Sequence, residues 1–199
     1  MNKTSGLKKI TGMKLFLPLV CILAVLIAGG IVIPDFFSVS VKNGVLSGYL
    51  IDIINRASEL VILAIGMTLV TAASGGQDIS VGAIMAVAAA LCCQVLSGGE
   101  VSVESLQNPF ILAVLAALAG SALCGVFNGF LVAKLKVQPM VATLILYTAG
   151  RGIAQLVTNG QITYIRVESY KVLGGYISHC PIPTPIFAAI IMVILAYII

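Results

Sequence analysis

IDIINRASELVILAIGMTLVTAASGGQDISV, residues 51–81, begins polar, runs apolar for several helical turns, and breaks at Ser74-Gly75-Gly76-Gln77-Asp78-Ile79-Ser80. A second apolar run starts at Val81 directly after the break. A carboxylate, an amide and two glycines therefore interrupt what would be one very long greasy segment. Asp52, Arg56 and Glu59, at spacings of four and three, share one face at its polar start.

That stretch sits in a chain of 199 residues, 60% hydrophobic and 9% charged, with a mean hydropathy of +1.14. A soluble domain carries about 25% charged residues and about 45–50% apolar ones. So few charges cannot coat a water-exposed globule of this size. The surface faces lipid, and the fold class is all-α, a polytopic transmembrane bundle of about six membrane helices.

The net charge of +4 is not a nucleic-acid signal. Lys3, Lys8, Lys9 and Lys14 all precede the first apolar run, and no basic and aromatic residues interleave to stack bases. The charge reads as topology, with residues 1–14 a basic cytoplasmic tail and 15–199 a transmembrane domain. Cys21, Cys92, Cys93, Cys124 and Cys180 lack the paired spacing of a zinc or redox site, and His179 beside Cys180 is too little for one. No metal is expected.

The apolar runs place the helices. Residues 15–33 form the first, too long for a cleavable signal core and read as uncleaved. An outside segment, 34–50, carries Phe36, Phe37 and Tyr49 as interface residues. The second helix covers 51–73 and the third 81–96, with Asp78 or Ser80 placed to cap the third. Gly82, Ala86 and Ala90 recur every four residues along it. The fourth, 109–135, carries Ala113, Ala117, Ser121, Gly125, Gly129 and Ala133 at the same spacing, a stripe for close helix approach that would make it central to a bundle. Gly125-x-x-x-Gly129 could alternatively be a homodimer face. Lys134 and Lys136 fall on the cytoplasmic side if the first helix leaves the cytoplasm. The fifth helix is 139–157, and an outside loop follows. The last apolar run, 185–199, stops without a polar flank, and the expectation is a chain cut within its sixth helix.

The intramembrane polar groups are few. Gln77, Asp78 and Ser80 either border a transport path or form a short cytoplasmic turn with a helix cap. Asn128 either lines the path or hydrogen-bonds across helices as glue. Thr143 and Arg151 share a face of the fifth helix, and Arg151 either lines a wet cavity or snorkels to the interface. There is no phosphate-binding Gly-Lys-Ser/Thr loop, no His-Glu-x-x-His and no Gly-x-Ser-x-Gly, so the chain is not read as an enzyme and has no catalytic residues. From the residues alone, this is a polytopic transporter-like protein. A gradient-driven secondary transporter or channel, with the glycine break as a discontinuous helix and a polar site around Asp78, is one such reading.

Several separate motifs, in order, carry a resemblance. They are Ile51-Asp52-Ile53-Ile54-Asn55-Arg56-Ala57, Gly75-Gly76-Gln77-Asp78-Ile79-Ser80-Val81-Gly82, Asn128-Gly129-Phe130-Leu131-Val132-Ala133-Lys134 and Ala149-Gly150-Arg151-Gly152. Over about residues 48–199 the chain resembles the permease subunits of bacterial ATP-binding cassette importers for simple sugars, the ribose type and especially the galactofuranose branch. The resemblance implies an amino-terminal portion of such a permease in the bacterial plasma (inner) membrane. It implies import of a pentose or hexose, galactofuranose-like among them, by ATP-driven alternating access. It implies these partners: a second permease subunit (identical or not), a cytoplasmic ATPase that holds the ATP, an extracytoplasmic sugar-binding protein, and membrane lipid. No cofactor is implied on this chain itself. The family has an apolar residue, mostly Ile, where this chain has Gln77.

Overall fold

A computed structural model describes residues 16–42, 44–167, 170, 174–176 and 180–198. The basic tail at 1–14 and His179 lie outside the described residues. The chain divides into two compact units, Met1–Arg56 and Ala57–Ile199.

In the first unit, helix α1 (Phe16–Val32) carries Pro18 near its start, where a missing N–H leaves no bond unmade. The chain turns at Asp35, φ 60°, after Ile33 N–H closes on Gly29 O at 2.9 Å. The three aromatics expected at the interface gather in one cluster. Phe36 is buried, meets Phe37 edge to face at 5.0 Å, and stacks on Tyr49 at 6.3 Å. Gly29 admits the Phe36 ring, since a Cβ there would stand 2.9 Å from it. Strands β1 (Ser40–Lys42) and β2 (Val45–Ser47) pair antiparallel, Val41 opposite Leu46, around Gly44 at φ +78°. The sequence marks 34–50 only as an outside segment, without this hairpin.

Helix α2 (Tyr49–Ser74) begins in the first unit and continues into the second. The second unit adds α3 (Val81–Ser97), β3 (Ser102–Val103), α4 (Phe110–Ala133), α5 (Pro139–Val157), β4 (Tyr164–Ile165) and α6 (Thr184–Ile198). Among the described residues three helices, α2, α4 and α5, are long and apolar enough to cross a membrane, while α1, α3 and α6 are shorter apolar helices. The six helices stand within a few residues of the expected spans.

The centre of the second unit is α3, not α4 as the stripe suggested. It packs extensively against both α4 and α5, which touch each other far less. Ala83, Val87, Ala90 and Leu96 of α3 are buried. Alanines on more than one side of α3 let two neighbours approach, whereas the stripe on α4 does not hold one face. A spacing of four advances about 40° per step on a helix of 3.6 residues per turn, so the stripe winds away from α3 along its length. Ala113 is buried and Ala117 and Ser121 half-buried, but Gly125, Gly129 and Ala133 are exposed. The close approach falls to Gly120, where a Cβ would overlap Leu91 Cδ1 of α3, and to Gly150 of α5, where it would stand 3.1 Å from Ala83 Cβ. Gly82 is exposed with open space beside it, and Ala86 is half-buried.

At one end of these helices, β3 and β4 pair in parallel, Ser102 opposite Tyr164, and Tyr164 N–H donates to Val101 O at 2.7 Å. At the other end, the α2–α3 turn meets the start of α5. That end holds the intramembrane polar residues singled out in the sequence, Arg151 excepted.

Candidate functional site

Helix α2 stops at the double glycine. Gly75, φ +68°, takes the left-handed conformation that closes a helix, and its N–H reaches Thr71 O at 3.0 Å. Gly76 then passes so close to Pro139 at the start of α5 that a Cβ would come within 2.6 Å of the proline ring. The two glycines are thus needed for different reasons, one for its backbone angle and one for space.

Asp78 turns the chain into α3. One carboxylate oxygen, Oδ1, accepts from Ser80 N–H at 2.7 Å and from Ser80 Oγ–H at 2.6 Å. These are short, as hydrogen bonds to a carboxylate are. Of the two candidate caps, Asp78 therefore occupies the N–H just ahead of α3, while the Ser80 side chain makes no cap bond to the helix. Ser80 is fully buried. Its hydroxyl gives its proton to Asp78 and accepts from Asn128 Nδ2 of α4 at 3.1 Å. Next to it, Ile79 N–H donates to Thr143 Oγ1 of α5 at 3.2 Å. The short turn thereby ties α3 to both of its neighbours through side-chain acceptors.

A cavity of about 320 Å³ opens beside this junction. Its polar lining comes from Ser74, Gln77, Asp78, Asn128 and Thr143, and Gly125 and Gly129 form part of its apolar wall. Its size lies at the low end of the range for small-ligand sites, about 300–1,000 Å³, and its make-up is the usual one of apolar walls with a few polar groups. Gln77 is exposed and makes no hydrogen bond among the described residues. Asn128 is 8% exposed, and its Oδ1 has no hydrogen-bond partner among the described residues.

The structure brings together Gln77, Asp78, Ser80, Asn128 and Thr143, five of the six polar residues picked from the sequence. Arg151 stands apart. It is exposed, lies about 12 Å further along α5 at 1.5 Å per residue, and rests its guanidinium over the Tyr147 ring at 4.6 Å. The sequence reading did not find the packing of Gly76 on Pro139 or the cavity-lining use of Gly125 and Gly129. The contacts of Gly76 with Pro139 and of Ser80 with Asn128 join residues far apart in the chain, and no local periodicity announces them.

The comparisons with known proteins agree with this architecture. The galactofuranose transporter permease protein of Escherichia coli (strain K12) is 44% identical over 180 residues, covering 90% of this chain and 50% of that protein. The fructose import permease protein of Bifidobacterium longum (strain NCC 2705) is 40% identical over 131 residues, 65% of this chain and 34% of that one. The ribose import permease protein of Escherichia coli (strain K12) is 32% identical over 157 residues, 77% of this chain and 44% of that one. The chain spans about half the length, or less, of these curated relatives. No solved structure matches. The family described as "Branched-chain amino acid transport system / permease component" matches residues 49–199, which take in every residue of the cavity, and the chain belongs to that family of polytopic helical membrane proteins.

Proposed function

We propose that this chain is part of a permease subunit that moves a simple sugar, a pentose or hexose, into the cytoplasm by ATP-driven alternating access. The observation that carries the proposal is the likeness to a galactofuranose permease along 90% of the chain. The cavity supports it. A permease whose sugar is chosen by a separate binding protein needs a polar, weakly binding passage, and the few polar groups around an apolar cavity suit that need. The partners are a second permease subunit, a cytoplasmic ATPase that binds and hydrolyses ATP, and an extracytoplasmic sugar-binding protein. The protein sits in the bacterial plasma membrane with its amino terminus inside. Lys134 and Lys136 follow α4 at the cavity end, and the positive-inside rule supports a cytoplasmic position for that end.

The test is uptake of labelled galactose, ribose and fructose into proteoliposomes holding the complete importer, with and without internal ATP. Uptake that requires ATP and the ATPase is expected. Uptake that runs on a proton gradient without the ATPase, and that is lost in Asp78→Asn, would show a secondary transporter instead.

A further inference from the structure

The cavity wall holds one buried polar atom that the fold leaves unused among the described residues, and the reason it is left unused can be traced bond by bond. Ser80 has a single hydroxyl proton, and it goes to Asp78 Oδ1 at 2.6 Å. Ser80 Oγ can then only accept from Asn128. The Asn128 amide must turn its NH₂ toward Ser80, as it does at 3.1 Å. Its other end, Oδ1, is thereby committed to the opposite direction and has no partner among the described residues, on a side chain more than nine-tenths buried in the cavity wall. A buried acceptor without a donor is costly and uncommon in a folded protein. With the hydroxyl proton on Asp78, rotating the amide by half a turn would set two acceptors, Ser80 Oγ and Asn128 Oδ1, against each other.

We propose that Asn128 Oδ1 is the group of this cavity that reads the substrate, accepting a hydrogen bond from one hydroxyl of the passing sugar. Asp78 and Ser80 are positioning residues, which hold the amide so that an acceptor, never a donor, is offered. This rests on the importer reading and makes it more specific. Oδ1 is covered in the present arrangement, so the hydroxyl reaches it when the wall beside Asn128 parts during the cycle. A single bond of this kind is discriminating without being tight. A site built around a hydroxyl donor rejects an analogue that lacks the donor, since the buried acceptor is again left unmet.

The experiment uses the complete importer in proteoliposomes. Its probes are whichever of galactose, ribose or fructose the wild type takes up, and the series of that sugar in which one hydroxyl at a time is replaced by fluorine. Fluorine keeps the size but cannot donate. In the wild type, one position is expected to lose about tenfold in uptake, the size of one buried hydrogen bond. In Asn128→Leu the discrimination at that position, and at no other, should fall to the residue set by the binding protein. In Ser80→Ala, which keeps the Asn128 side chain and frees its amide to turn, the same position should be partly relaxed. Discrimination unchanged from wild type in either variant, with uptake retained, overturns the inference and leaves the importer reading intact. Absence of any ATP-dependent uptake in the wild type removes the importer reading and the inference with it.

Discussion

Asn128 Nδ2 and Ser80 Oγ, 48 residues apart in sequence, share a hydrogen bond of 3.1 Å that joins α4 to the turn ahead of α3. Both residues are buried. Removing the hydroxyl in Ser80→Ala leaves the amide of Asn128 without any partner. The expected loss is about 1–2 kcal/mol, between the modest worth of interhelical bonds in membranes and the higher cost of an orphaned buried amide. Thermal unfolding in detergent, followed by exposure of the free cysteines to a thiol-reactive dye, measures it.

Thr143 tests the bond to the other neighbour. Its Oγ1 accepts from Ile79 N–H at 3.2 Å and donates to Met140 O at 3.2 Å. Thr143→Val keeps the shape and deletes both bonds, leaving a backbone N–H unmet. A loss of about 1 kcal/mol is expected, and Thr143→Ser should recover most of it. The same dye assay compares the pair.

The glycines separate into two classes that one substitution each can tell apart. Gly76→Ala drives a methyl group into the rigid ring of Pro139 and should destabilise by about 1–3 kcal/mol, as overpacking does. Gly125 has nothing within 4 Å of the place where a Cβ would stand, and it lines the cavity. Gly125→Val should therefore leave the unfolding temperature nearly unchanged while lowering sugar uptake. A fall in stability equal to that of Gly76→Ala would mean that Gly125 packs against another chain.

Arg151 should behave as a surface group. Its contact is the face of Tyr147, so Tyr147→Phe should keep it and Tyr147→Leu should lose about 0.5 kcal/mol, the worth of an exposed cation–π pair. Neither variant should alter the fluorine pattern of sugar uptake. A changed pattern would return Arg151 to the path.

The sequence was legible where hydrophobicity is continuous. The span 139–157 coincides with α5, and the third helix was read one residue short of Val81–Ser97, because proline, glycine and acidic residues mark those ends. Gln77, Asp78, Asn128 and Thr143 could be picked out because a polar side chain in an apolar run has no cheap place to go. The partners of those side chains were not legible. Helix contacts depend on which face meets which neighbour, and Gly120 and Gly150, which do pack, belong to no motif that spacing alone would select, while Gly125 and Gly129, which complete a motif, face open space. The β1–β2 hairpin was missed for another reason: its strands are three residues long, shorter than a period-two pattern needs to declare itself.

The pairing of β3 with β4 has a mechanical consequence. Those strands follow α3 and α5, so the two helices are fastened together beyond one end, while Ile79 and Thr143 fasten them at the other and Gly150 lies against Ala83 between. Two rods clamped at both ends and touching in the middle turn as a single body. The cavity can then change volume only if something else moves. α4 packs on α3 as extensively as α5 does, whereas α2, which supplies Val70, Ala73 and Ser74 to the cavity, meets the other helices only sparsely, so α2 is the wall free to swing.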